Sequence, residues 1–142
     1  MSEQNKILIR RAVEEVWNRR NFANLNELVS SDFVVHAAGE EIHGREGVRQ
    51  FYSVLHQAFP DIHFTIEEQI AEGDRVVTHW TARGTHRGEF NGIPATGKQF
   101  KVTAIDIDRI VDGKVVESWT NMDQLGLLQQ LGVVPRLESR DA

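Results

Sequence analysis

The chain contains no cysteine, which excludes disulfides, thiolate nucleophiles and cysteine-bound metals together. It also lacks long apolar runs. Nothing approaches the roughly 20 residues of a membrane span, and the opening MSEQNKILIRRAVEE carries charge where a secretory leader needs an apolar centre. A cytoplasmic protein with no membrane partner is expected. Its 16 Lys and Arg against 21 Asp and Glu give a net charge of -5, and the basic residues are scattered, so nucleic acid is not an expected partner either. The six histidines, His36, His43, His56, His63, His79 and His86, form no His-x-His or His-Glu-x-x-His pattern, so no metal is expected. The glycine-rich segment GTHRGEFNGIPATG lacks the Lys-Ser/Thr ending of a phosphate loop. No internal repeat is evident.

What is present fits one domain of 142 residues, long enough to bury a core without staples, with a domain over 1–135 and a charged, disordered tail over 136–142. Ile9, Val13, Val16 and Trp17 make one apolar stripe on a first helix running from a Ser2 cap to about Asn21. A short helix over Leu25–Val29 and a brief strand over Phe33–His36 follow. AAGEEIHG reads as loop. The strongest helical pattern runs from Arg45 to Phe59 with Val48, Phe51, Tyr52, Leu55 and Phe59 in step, and Pro60 ends it. Strands are expected over His63–Ala71 and Arg75–Thr85, then a long loop over Gly84–Gly97, and a last short helix over Gln124–Leu131. Helices segregated from strands predict an α+β fold.

The stretch IDIDRIVDGKVVESWTNMD, from Ile105 to Asp123, reads as a β-hairpin, because Asp112-Gly113 suits a type I′ turn with positive φ at both residues. Counting outward in regular register pairs Asp106 with Trp119 and Ala104 with Asn121. Asp106, Trp119, Asn121 and Asp123 then share one face, a poor core but a suitable pocket wall.

Several further stretches carry a family pattern: FVVH at Phe33–His36, GVRQFY at Gly47–Tyr52, AFPD at Ala58–Asp61, AEGDRVV at Ala71–Val77, GTHRGEF and GIPATGK between Gly84 and Lys98, Ile105-Asp106-Ile107, Trp119 with Asp123, and LLQQLG at Leu127–Gly132. In these the chain resembles the SnoaL-like polyketide cyclases, or predicted ester cyclases, of the nuclear transport factor 2-like superfamily. The resemblance implies a cone in which three N-terminal helices pack on a strongly curved antiparallel sheet around an internal pocket. It also implies intramolecular aldol closure of an anthracycline-type polyketide methyl ester with no metal or organic cofactor; a small apolar carbonyl-containing substrate and a homodimer pairing the outer sheet faces are expected. By position, Asp123 resembles the family's acid/base and Asp106 the oxyanion-binding acid of the related ketosteroid isomerases. The pocket histidine that the cyclases use has three candidates, His36, His79 and His86.

The residues admit plainer roles. Asp123 precedes a helix and is well placed to cap it, a contribution of roughly 1 kcal/mol. Asp106 is equally a partly solvated strand residue. Trp119, Asn121, Phe51, Phe59 and Trp17 are expected to line the substrate pocket, although Trp17 suits the core as well. The alternatives to a cyclase or isomerase are a non-catalytic binding domain of the same fold and an epoxide-hydrolase-like enzyme. The latter needs Arg83 or Arg109 to face inward.

Overall fold

The computed structural model describes Ser2–Pro135; the proposed tail over 136–142 lies outside the described residues. Helix α1 spans Ser2–Arg11 and continues as a π-helical turn over Ala12–Asn18. A 3₁₀ turn at Phe22–Asn24 leads into α2, Leu25–Leu28. Then come β1 (Val29–Ala37), β2 (Glu40–His43), α3 (Gly44–Ala58), β3 (His63–Glu72), β4 (Arg75–Thr85), β5 (Gln99–Val111), β6 (Lys114–Met122) and α4 (Gln124–Gln130). None of these helices is long and apolar enough to cross a membrane.

The six strands form one sheet in the order β2-β1-β6-β5-β4-β3. It is mixed rather than purely antiparallel, because β1 runs parallel to β6. The expected loop AAGEEIHG is in part a strand. Ala38 and Gly39 both take positive φ, 54° and 77°, and fold Glu40–His43 back along β1. A strand of only four residues shows no readable alternation, and alanine is not a residue that announces a left-handed turn. Strand β1 is also longer than the expected Phe33–His36, beginning at Val29, and the first helix ends at Asn18 rather than near Asn21; the remaining boundaries lie close to those expected. At Asp112 and Gly113, φ is 52° and 76°, the tight turn expected of Asp-Gly.

Burial in β5 alternates without a break, so Phe100, Val102, Ala104, Asp106, Asp108 and Ile110 all face inward. The helices cover that face: α1 and its π-helical turn lie on β3, and α3 lies on β1. Phe59, Leu28, Val16 and Val76 are almost wholly buried between the layers, each burial of such a side chain contributing about 1.5–3 kcal/mol. Asn18 ties the end of the π-helical turn to the edge strand: its side chain donates to the Phe64 carbonyl at 2.9 Å and accepts from the Phe64 amide at 2.8 Å. An edge that would otherwise be open is closed there.

The hairpin departs from the regular register. Val111 pairs with Lys114 and Ile110 with Val115, but Arg109 then pairs with Glu117 rather than Val116. Val116 is an extra residue in β6, a β-bulge. Beyond it every partner is displaced by one: Asp108 faces Ser118, Asp106 faces Thr120, Ile107 faces Trp119 and Ile105 faces Asn121. The expected common face of Asp106, Trp119 and Asn121 is therefore overturned, since a one-residue slip sends side chains to opposite sides of a sheet. Trp119 and Asn121 are outside.

The loop after β4 returns to the end of α3, where the amides of Arg87 and Gly88 both donate to the Ala58 carbonyl at 3.0 Å. Gly88 lies so close to the Gln57 carbonyl that a methyl group there would collide with backbone. Gly88→Ala should lower stability by about 1–3 kcal/mol through that overlap. A drop in the urea midpoint with an unchanged m-value would show it; an unaltered midpoint would mean that the loop can retreat freely.

Candidate active site

The alternation of β5 places two carboxyls on the core face of the hairpin, two residues apart, and the bulge in β6 sets hydroxyls opposite them. Asp106 is 3% exposed and Asp108 7%. Around them lies a narrow interior hollow of about 50 Å³, walled by the inner side of the π-helical turn, by Val48 and Tyr52 of α3, and by Ser118 and Thr120 of β6. The hollow has room for a few waters, far less than the roughly 300–1,000 Å³ of an open ligand pocket. Two roomier depressions, of about 610 and 620 Å³, are grooves on the outside, and neither includes the buried carboxyls.

The two aspartates are held differently. Asp108 accepts a short hydrogen bond from the Ser118 hydroxyl. Asp106 leaves its Oδ1 buried without a well-formed hydrogen bond, and the Trp80 indole N–H, which approaches the same carboxyl, has no well-formed partner either. Burial disfavours a charged carboxyl, and a second negative charge adds to that cost. Asp106 is accordingly pushed up to about 8, first by burial and then by Asp108, with Thr120 and Trp80 opposing the shift. Asp108 is pushed up to about 6 by burial, with the Ser118 hydrogen bond opposing. A carboxyl able to both hold and release a proton near neutral pH, beside an enclosed space, is suited to general acid/base chemistry.

Of the residues expected at the site, only Asp106 and Trp17 reach this hollow. Asp123 is exposed, and its Oδ1 accepts from the Gly126 amide at 2.8 Å as the cap of α4; the capping alternative describes its position. His36 stacks on Trp119 on the outer face, with ring centroids 5.5 Å apart, and meets Glu117 at 2.7 Å. His79 pairs with Ile105 across the ladder on that same outer side. Asn121 and Phe51 are exposed. Phe59 and His86 are fully buried but at another end of the core, where their rings pack at 5.5 Å and His86 Nδ1 accepts from the Thr96 amide at 3.2 Å. Arg83 is exposed, and Arg109 stands against Glu117 on the outer face at 3.5 Å, so neither meets the inward condition for an epoxide-hydrolase arrangement.

Ser118 and Thr120 were missed because the regular register turns them outward, whereas Asp108 shares a face with Asp106 in either register and Tyr52 belongs to the α3 stripe, and neither was expected at the site. One signal was available for Asp108: it shares parity with Phe100, Val102, Ala104 and Ile110, the apolar set of β5. No group of three or more histidine, aspartate or glutamate side chains among the described residues is arranged to hold a metal ion.

This arrangement sits in a chain whose residues 7–131 match the family model of the SnoaL-like polyketide cyclases. The chain belongs to that family, and the fold is α+β of the nuclear transport factor 2-like kind. Among its relatives is the aklanonic acid methyl ester cyclase DnrD of Streptomyces peucetius, 32% identical over 129 residues covering 88% of each protein. The solved structure of wild-type IdmH of Streptomyces antibioticus, described as a candidate polyketide cyclase, is 36% identical with a TM-score of 0.80, over 92% of this chain and 99% of that one. That of AclR of Streptomyces galilaeus, described as a candidate hydroxylase, is 31% identical with a TM-score of 0.85, over 98% of this chain and 87% of that one.

The raised carboxyls have a thermodynamic consequence. Native Asp106 holds its proton up to about 8, whereas in the unfolded chain an aspartate releases it near 3.9. Between those values the native state binds more protons, so stability falls as pH rises. His56, whose charged form burial disfavours, works the other way below about pH 6.5. The urea midpoint should therefore decline from about pH 6.5 to about pH 8.5, and Asp106→Asn should flatten that decline. A midpoint that rises over this interval would contradict the buried, protonated state.

Proposed function

We propose that the protein is a cyclase that closes a ring by intramolecular aldol addition, with Asp106 transferring the proton. The observation that supports this best is the buried Asp106 carboxyl with an unpartnered Oδ1 at the interior hollow. In its charged form it removes a proton from the carbon next to a carbonyl. The resulting enolate attacks a second carbonyl of the same molecule, a carbon–carbon bond forms, and the new alkoxide takes the proton back from Asp106. Product and substrate are isomers, and no electrons are gained or lost. Burial near Asp108 brings the carboxyl into the range where both directions of transfer are accessible. A polyketide methyl ester of the aklanonic acid type is the first substrate to test, by analogy with DnrD. A molecule of that size requires α3 and the π-helical turn to part, leaving the narrow hollow to the reacting carbonyl.

Asp106→Asn keeps the shape and removes the acid/base, and should lower turnover by about 10²–10⁴-fold while the protein remains folded by circular dichroism. Turnover like that of the parent protein would remove Asp106 from the mechanism.

The outer sheet face supports a homodimer. Ile70, Val77, Ile107, Trp119 and His36 pair in one row across five strands; Ile70 within it is 58% exposed, and Ile105 beside it 52%. Scattered apolar residues on a surface are ordinary, but a contiguous apolar row on an uncovered sheet marks an interface, and a two-fold partner presents the same row in return. Ile107→Lys should convert the dimer to a monomer in light scattering coupled to size exclusion. A parent protein that is already monomeric would dispose of the idea.

A further inference from the structure

Aldol closure creates negative charge on oxygen twice, first as enolate and then as alkoxide. Charged carboxyls are the wrong neighbours for such an oxygen, so a neutral donor is required. Tyr52 meets the requirement. It lies one helical turn after Val48 on α3, and both line the hollow with Asp106 and Asp108. Its ring is held by Trp17 at 5.5 Å, by Phe51 at 5.4 Å and by His56 at 6.4 Å. Tyr52 is half-buried, and among the described residues its phenol oxygen makes no hydrogen bond, so the donor is available to a ligand in the hollow. Ser118, by contrast, spends its proton on Asp108.

Accepting Asp106 as the proton carrier, we infer that Tyr52 donates its phenolic hydrogen bond to the substrate oxygen that becomes charged, and is thus a catalytic residue of the same site. Burial first, and then the charges of Asp106 and Asp108, push the phenol well above its ordinary range. It therefore stays protonated, and so a donor, throughout the working pH range. The division of labour is specific: the carboxyl moves the proton between carbon and oxygen, and the phenol lowers the energy of the anion in between without giving up its own proton. Trp17 and Phe51 hold the ring so that little conformational freedom is lost when a ligand arrives.

The sequence supplies an unusual means of testing this, because Tyr52 is its only tyrosine. Biosynthetic replacement of tyrosine by 3-fluorotyrosine labels this position alone in the full chain. The ¹⁹F resonance should move when acetylacetone, a small dicarbonyl acceptor, is titrated in, and should do so in Asp106→Asn as well, because the donor remains. With aklanonic acid methyl ester, Tyr52→Phe should lower kcat by about 10²-fold and change KM little, with the melting temperature reported alongside. A resonance unmoved by acetylacetone overturns the inference whether or not that ester is turned over. So does a folded Tyr52→Phe variant whose kcat equals that of the parent. Both results leave the Asp106 reading standing provided Asp106→Asn is inactive; normal turnover in Asp106→Asn instead defeats the acid/base reading while the resonance still reports on Tyr52.

Discussion

One extra residue in β6 governs the chemistry of this protein. The bulge at Val116 brings Ser118 and Thr120, rather than Glu117 and Trp119, to the inner face opposite Asp108 and Asp106. Bulges change both the twist and the facing of a strand, and here the change supplies hydroxyls where buried carboxyls need them. Without it, the two aspartates on the core side of β5 would face a third carboxylate and a large indole.

Burying two carboxyls is costly, and the surroundings show how the cost is contained. Asp108 is stabilised by Ser118, while Asp106 retains a proton rather than a charge at neutral pH. Shared protonation near neutrality follows from the same burial that makes the pair expensive. The unpartnered Oδ1 of Asp106 and N–H of Trp80 are departures from the satisfied interior of most folds, and such departures concentrate where ligands act. The rest of the core is ordinary by comparison: apolar layers between α1, α3 and the sheet.

The two sheet faces divide the histidines and aromatics. His36, Trp119 and Arg75 form a stack on the outside, with the Arg75 guanidinium 5.1 Å from the Trp119 ring. Trp17, Tyr52, Phe64 and Trp80 cluster inside, with Trp17 at 5.2 Å from Phe64 and 5.6 Å from Trp80. Membership of an aromatic cluster is therefore no guide to function in this chain. Facing is decisive, and the bulge and the parallel pairing of β1 with β6 set it.

From the residues alone, the α+β class, the long strands, the tight Asp112-Gly113 turn, the α3 stripe and the family were all legible, because each rests on local periodicity, turn chemistry or contiguous motifs. The inward parity of Asp106 and Asp108 was also present in the alternation of Phe100, Val102, Ala104 and Ile110, although Ile105 and Ile107 on the opposite face obscured it. What only the tertiary structure decided is which residues meet. A bulge leaves no mark in a run such as Lys114–Trp119, where either register places β-branched residues on both faces. Asp123 carries the same letter whether it caps a helix or lines a cavity, and the choice falls to the direction of one side chain toward Gly126. The site is made by pairing across the sheet and by α3 and β5 lining one hollow, and such meetings belong to the folded chain rather than to any stretch of it.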